Sequence, residues 1–296
     1  MPELPTYAGV RYQVPPLACD CHMHVFGRPD QYPLGATRSF TPAREASLAG
    51  WRDVATSLGL QRVVVVQPSV YRFDNQCALD ALRELGPCAR GIAQINAAIT
   101  DDELRELHDA GIRGVRLNPK SLGLRDAAAL CAQIVGISAR IAPLGWHIQL
   151  HADMALVSAL ASAIRNAFVP VVLDHMGGAR SGDGEAALRP LLELLAAGRC
   201  WVKLSGAYRV SNQETGFGDT TPIAKALVAT NPEQVVWGTD WPHTAKHAGK
   251  VSVDPPPIEY RDVDAAALLD LLAEAAGSEE IFGRILVTNP TRLYGF

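Results

Sequence analysis

This chain of 296 residues has no Cys-x-x-Cys pair, although it carries six cysteines. They stand at positions 19, 21, 77, 88, 131 and 200, so neither a zinc ribbon nor a thioredoxin-type site is suggested. Most lie in apolar segments and read as buried, reduced thiols, with a cytoplasmic location expected. There is no basic excess: 27 Lys and Arg face 31 Asp and Glu, for a net charge of −4. That excludes the electrostatic footprint of a nucleic-acid binder or of a protein drawn to an anionic membrane. No apolar run reads as long enough to span a bilayer. The stretch Met1 to Tyr7 lacks the basic-then-apolar build of a signal peptide. No low-complexity linker divides the chain. No glycine-rich turn follows the first strand candidate, which counts against a doubly wound nucleotide-binding sheet.

What the chain does have is alternation. Short, mostly β-branched runs at 17–24, 62–67, 90–96, 113–118, 146–151, 169–175, 200–205 and 235–240 are separated by longer Ala/Leu-rich stretches. Helical patterns fall at 43–58, 74–86, 101–110, 126–143, 153–167, 184–197, 219–231 and 263–275. Thr100 followed by Asp101, Asp102 and Glu103 is a helix start, with acids placed against the dipole. Eight strands each followed by a helix predict parallel pairing with right-handed crossovers. The length suits one α/β domain over 1–296, a (β/α)8 TIM barrel. The connection 25–42, rich in Gly, Pro and aromatics, is expected over the barrel mouth. The tail 278–296 is expected to pack on the barrel.

Barrels of this kind carry their active sites at the C-terminal ends of the strands. Asp20-Cys21-His22-Met23-His24 ends the first run. On a regular strand, residues two apart share a face, which sets His22 beside His24 with Asp20 below them. Two imidazoles on one rigid strand suit binding a metal or polarising a carbonyl. The other runs end in Gln67 and Ser69, Asn96, Arg116 and Asn118, His151, Asp174 and His175, Ser205 with Tyr208 and Arg209, and Asp240 with His243. So many polar ends on apolar strand bodies point to a functional rim. His247 shares the loop of His243. His108 reads as a surface residue of its helix, His147 as structural at the far end of the barrel, and Trp146, Trp201 and Trp237 as packing residues.

This pattern resembles the amidohydrolase superfamily in His22-Met23-His24, His151, His175 and Asp240. The strings Val-Leu-Asp-His-Met-Gly (172–177), Gly-Thr-Asp-Trp-Pro-His (238–243) and Asn-Pro-Thr-Arg-Leu-Tyr (289–294) look like the branch of 2-pyrone-4,6-dicarboxylate lactonases and related sugar-lactone hydrolases. The likeness covers nearly the whole chain. It implies a deformed β/α barrel that hydrolyses a lactone. Binuclear members carry a bridging Lys, Glu or Cys on strand three or four. Here strand four offers Arg116 and Asn118, and Lys120 lies beyond it, after Pro119. The resemblance thus implies one zinc at most, on His22, His24, His151 and Asp240 with water in an open position. The same branch also includes metal-free enzymes.

In that setting Asp240 is the candidate general base; its structural alternative is capping the Trp241–Pro242 loop. His175 would donate to the oxyanion or the leaving oxygen, or else bond Asp174. His22 and His24 would bind zinc or polarise the carbonyl directly. Arg116 and Arg209 suit a two-pronged grip on a substrate carboxylate, or salt bridges at the rim. Tyr208, Ser69 and Asn118 are further substrate contacts. The implied ligand is therefore a small anionic lactone. A metal-dependent decarboxylase or a sugar-lactone isomerase would use the same set. A binding protein on a dead barrel would have lost a ligand or the base. A homo-oligomer is the ordinary state for an enzyme of this size.

Overall fold

The computed structural model describes residues 11–245 and 250–296. The N-terminal stretch Met1 to Tyr7 and His247 therefore lie outside the described residues. Eight parallel strands follow one another around a barrel in chain order: β1 (Cys19–Met23), β2 (Arg62–Val66), β3 (Ala89–Ala93), β4 (Ile112–Leu117), β5 (His147–Leu150), β6 (Val171–Leu173), β7 (Cys200–Leu204) and β8 (Val235–Trp237). They are almost wholly buried, as expected of parallel strands covered on both faces. The outer layer is α1 (Leu48–Leu58), α2 (Gln76–Leu85), α3 (Asp101–Asp109), α4 (Ala127–Ile141), α5 (Met154–Asn166), α6 (Glu185–Ala196), α7 (Thr221–Thr230) and α8 (Ala265–Ala276). Thr100 and Glu103 close a reciprocal capping box at the start of α3.

Two apolar layers hold this together. The larger lies between strands and helices. The smaller fills the barrel with Cys19, Cys21, Val64, Val66, Ile92, Val172, Trp201 and Val236, and Tyr294 of the last helix packs against it.

The barrel closes without a regular ladder between β8 and β1. The Asp240 N–H donates to His22 O (2.8 Å) and the His24 N–H to Trp241 O (2.9 Å). The Asp20 carboxylate completes the seam. It accepts from the Thr239 N–H (2.9 Å) and hydroxyl (2.6 Å), the His22 N–H (3.1 Å) and the Trp51 indole (3.1 Å). Gly238 allows the close approach, since a Cβ there would lie 2.6 Å from His22 N. Asp20 thus does not sit below His22 and His24 on one face. The strand register shifts between Asp20 and Met23, and this irregularity breaks the alternation. Asp20 turns to α1 while both histidines turn to the barrel mouth.

The connection 25–42 does cover the mouth. Thr37–Arg38 pairs antiparallel with Ser252–Val253, and Thr41–Pro42 pairs with Pro257–Ile258, so the loops after β1 and β8 are stitched together. Two sequence expectations are corrected. The helical stretch Ala127–Leu144 is long and apolar enough, by length and composition, to cross a membrane; here it buries Leu130, Ile134 and Ile141 on one face as a barrel helix. His108 is half-buried and accepts the Trp146 indole N–H (2.9 Å), with the two rings nearly parallel, side by side.

Candidate active site

His22 and His24 meet at the mouth with ring centres 5.0 Å apart. The His24 Nδ1–H donates to Val66 O on β2 (2.8 Å). That fixes the tautomer and leaves Nε2 with a free lone pair. His22 Nδ1 lies 3.4 Å from Asp174 Oδ1, so its proton faces that carboxylate. Its Nε2 and that of His24 each lie 3.6 Å from Asp240 Oδ1. These three atoms are all acceptors. His22 Nε2 and Asp240 Oδ1 are buried with no hydrogen-bond donor. Unpaired buried acceptors are costly, and three converging on one point fit a bound cation.

Asp240 is held from its other side. The Tyr208 hydroxyl (2.7 Å) and Arg209 Nε (2.5 Å) both donate to Oδ2. Burial raises its carboxyl, but the Arg209 guanidinium bonded to it outweighs burial and holds it well below the usual range. Asp240 is therefore ionised, with Oδ1 its open atom. Burial also pushes His22, His24, His151 and His175 below the ordinary histidine range, so these rings are neutral.

His151, expected to complete a three-histidine zinc set, lines the same cavity as His24 and leaves its Nε2 buried without a partner. It belongs to neither group of clustered ligand atoms among the described residues: His22, His24 and Asp240, or His22, Asp174 and His175. Its Nδ1–H donates to Asn118 Oδ1 (3.0 Å), which also accepts the Ser121 N–H (3.1 Å). The His151 ring meets His175 edge-on at 4.9 Å. His175 Nδ1 lies 3.0 Å from Ser205 Oγ. Ser69, Arg116, Asn118, His24, His151, His175 and Arg209 line one cavity roofed by Phe26 and Phe40. Tyr208, read as a substrate contact, is fully buried and gives its hydroxyl to Asp240. Asn96 is exposed on the outer side, where its side chain caps its own turn at Ala98.

Three residues with a place in this network were not singled out from sequence as site residues. Asp174 faces His22 and also Arg116, whose Nη2 lies 3.5 Å from Oδ2. Gln149 Nε2 donates to the same oxygen (3.1 Å). Lys203, wholly buried, donates to Gln149 Oε1 and Cys21 O, both at 2.7 Å. Burial raises Asp174, but His22, Lys203 and Arg116 outweigh it and hold it well below the carboxylate range. The available signal was a Lys and a Gln inside otherwise apolar strands, where a buried polar side chain needs a partner.

An eight-stranded β/α barrel with histidines and carboxylates at its C-terminal rim defines a hydrolase-type scaffold. Residues 19–296 match the family model described as Amidohydrolase, and the chain belongs to that family. It is 33% identical over 290 residues to the 4-sulfomuconolactone hydrolase of Hydrogenophaga intermedia, covering 97% of this chain and 91% of that one. It is 32% identical over 306 residues to the 2-pyrone-4,6-dicarboxylate hydrolase of Comamonas testosteroni, covering 96% and 92%. Among solved structures, a probable 2-pyrone-4,6-dicarboxylic acid hydrolase from Acinetobacter baumannii with citric acid bound superposes with a TM-score of 0.79 at 26% identity. That match covers 95% of this chain and 100% of the other.

Proposed function

We propose that this chain hydrolyses a small anionic lactone by adding water to the ring ester carbonyl. The carrying observation is the ionised Asp240 carboxylate, buried, with Oδ1 open toward His22 and His24. Tyr208 and Arg209 occupy Oδ2, so Oδ1 is the atom that takes a proton from attacking water. A carboxylate held this low is a weak base. A substrate anion close to Arg209 weakens the hold of that cation on Asp240 and raises its proton affinity. Arg116 and Arg209 meet the substrate anion, and Ser69 and Asn118 border it. His175 Nδ1 lies 3.0 Å from Ser205 Oγ; in the tautomer in which that hydroxyl donates, the proton sits on Nε2 and His175 serves as a neutral hydrogen-bond donor to the leaving oxygen. The two relatives named for lactones support this reading.

His22, His24 and Asp240 would hold one zinc, which would polarise the carbonyl and lower the pKa of bound water. The tautomer of His24 supports that assignment. With its one proton committed to Val66 O, neutral His24 has no N–H to offer a carbonyl oxygen.

The test is proton release in weak buffer with a panel of carboxylated lactones, run on protein whose metal content has been measured. We expect catalysed acid release and about one zinc per chain. Carbon dioxide without net acid would replace hydrolysis by decarboxylation. Activity that survives complete metal removal would assign carbonyl polarisation to the protein alone.

A further inference from the structure

Neutral His22 has one proton to give and two carboxylates that could take it. Its Nδ1 lies 3.4 Å from Asp174 Oδ1, and its Nε2 lies 3.6 Å from Asp240 Oδ1. A proton on Nε2 would block the point where His22, His24 and Asp240 converge. A proton on Nδ1 leaves the Nε2 lone pair bare. The choice turns on how firmly Asp174 is held with Oδ1 toward the ring.

That hold comes from inside the barrel. Lys203 on β7, Gln149 on β5, Asp174 just after β6 and His22 on β1 are all wholly buried. Lys203 Nζ donates to Cys21 O on β1 and to Gln149 Oε1, both at 2.7 Å, and lies 5.9 Å from the centre of the Tyr294 ring. Burial pulls its amine down to about 8, which leaves an ammonium at neutral pH. An ammonium has donors only, so Gln149 turns Oε1 toward it. The amide nitrogen then faces Asp174, where Nε2 donates to Oδ2 (3.1 Å). Arg116 Nη2 stands 3.5 Å from the same oxygen. With Oδ2 held in this way, Oδ1 is the atom left to His22, and no hydrogen-bond donor competes for it among the described residues. Lys203 and Gln149 are not among the residues lining the cavity, so they act on the site through Asp174 and not on substrate.

We propose that Lys203 and Gln149 are positioning residues, which lock Asp174 onto His22 Nδ1 and so keep His22 Nε2 bare for the cation. This rests on the zinc assignment above and adds the residues that prepare its site. Without Lys203, the Gln149 amide is free to turn its oxygen to Asp174 Oδ2. Two acceptors then meet, and the carboxylate loses its fixed place beside the ring.

The experiment measures zinc affinity by chelator competition on metal-stripped wild type, Lys203→Met, Gln149→Leu and the double variant. Each single variant should bind zinc about tenfold more weakly or worse. The double variant should lose no more than the weaker single, because both residues act along one path. Affinity within about threefold of wild type in either single variant, or losses that add in the double, overturns the proposal. If wild type binds no zinc, the zinc assignment fails by itself, and NMR of the His22 ring nitrogens in the metal-free protein decides the relay. At about pH 7 wild type should carry its proton on Nδ1, and Lys203→Met should move it toward Nε2. A wild-type ring protonated on Nε2, or a tautomer unchanged by the substitution, overturns it. Should Lys203→Met fail to fold, Gln149→Leu decides both measurements by the same criteria.

Discussion

Asp240 adopts φ +60° and His175 φ +52°, a region that side-chain-bearing residues rarely enter and that costs energy. The Asp240 backbone is held by His22 O on one side and the His243 N–H on the other. Beside His175, Gly206 is at φ +59°, and a Cβ there would lie 2.6 Å from His175 Nδ1. The strain thus sits on the two residues given the base and hydrogen-bond-donor roles. Asp240→Asn keeps the size and an acceptor for Tyr208 but removes the charge. It should lower kcat by about 10² to 10⁴, read by steady-state kinetics. It should also cost about 3 kcal/mol, because Arg209 loses its counter-ion. Turnover near wild type would dismiss Asp240 as the base. At this scale the sequence named His22, His24, His175 and Asp240. It placed Asp174 at the rim without a role and was silent on Gln149 and Lys203, because nothing local tells a buried ion network from a stray polar residue.

At the scale of elements, the weak point is the seam between β8 and β1. Four donors converge on Asp20 where a ladder would otherwise run. Asp20→Ala strips them all and leaves buried N–H groups unpaired. The expected loss is about 4 kcal/mol, from several orphaned donors at about 1–3 kcal/mol each, measured by urea denaturation. A loss below about 1 kcal/mol would mean that the seam holds without Asp20. All eight strands and eight helices overlap the segments that periodicity marked out, with Ala89–Ala93, Ile112–Leu117 and Ala265–Ala276 each overrunning its segment by one residue. The face of Asp20 was misjudged because a register shift is a property of two paired strands, invisible in either alone. The bilayer-length run over Ala127–Leu144 was missed for a related reason. Its helix alternates a buried face with an exposed one rich in alanine, and composition alone does not separate that from a membrane span.

For the whole molecule, burial of neutral histidines makes stability depend on pH. His147 is buried beside Lys203 and Asp174, packs edge-on against Tyr294 at 5.3 Å, and burial pulls it from 6.5 down to about 3. As pH falls below about 6.5, the unfolded chain takes up the proton first. Stability is therefore full above that value and declines as pH drops toward the folded pKa. The depressed carboxyls of Asp174 and Asp240 extend the loss in the same direction at lower pH. The thermal midpoint should fall steadily from about pH 6.5 to about pH 4, and His147→Asn should flatten that slope. A midpoint that stays level down to about pH 5 would contradict this. By itself, the sequence determined the strand order, the family and which residue types reach the rim, because alternation, turn chemistry and strand-end polarity are local. Only the tertiary structure decided that His22, His24 and Asp240 share one point and that His151 bonds Asn118. Those distances depend on barrel closure between residues more than two hundred positions apart, and on hydrogen bonds that fix each ring from a neighbouring strand.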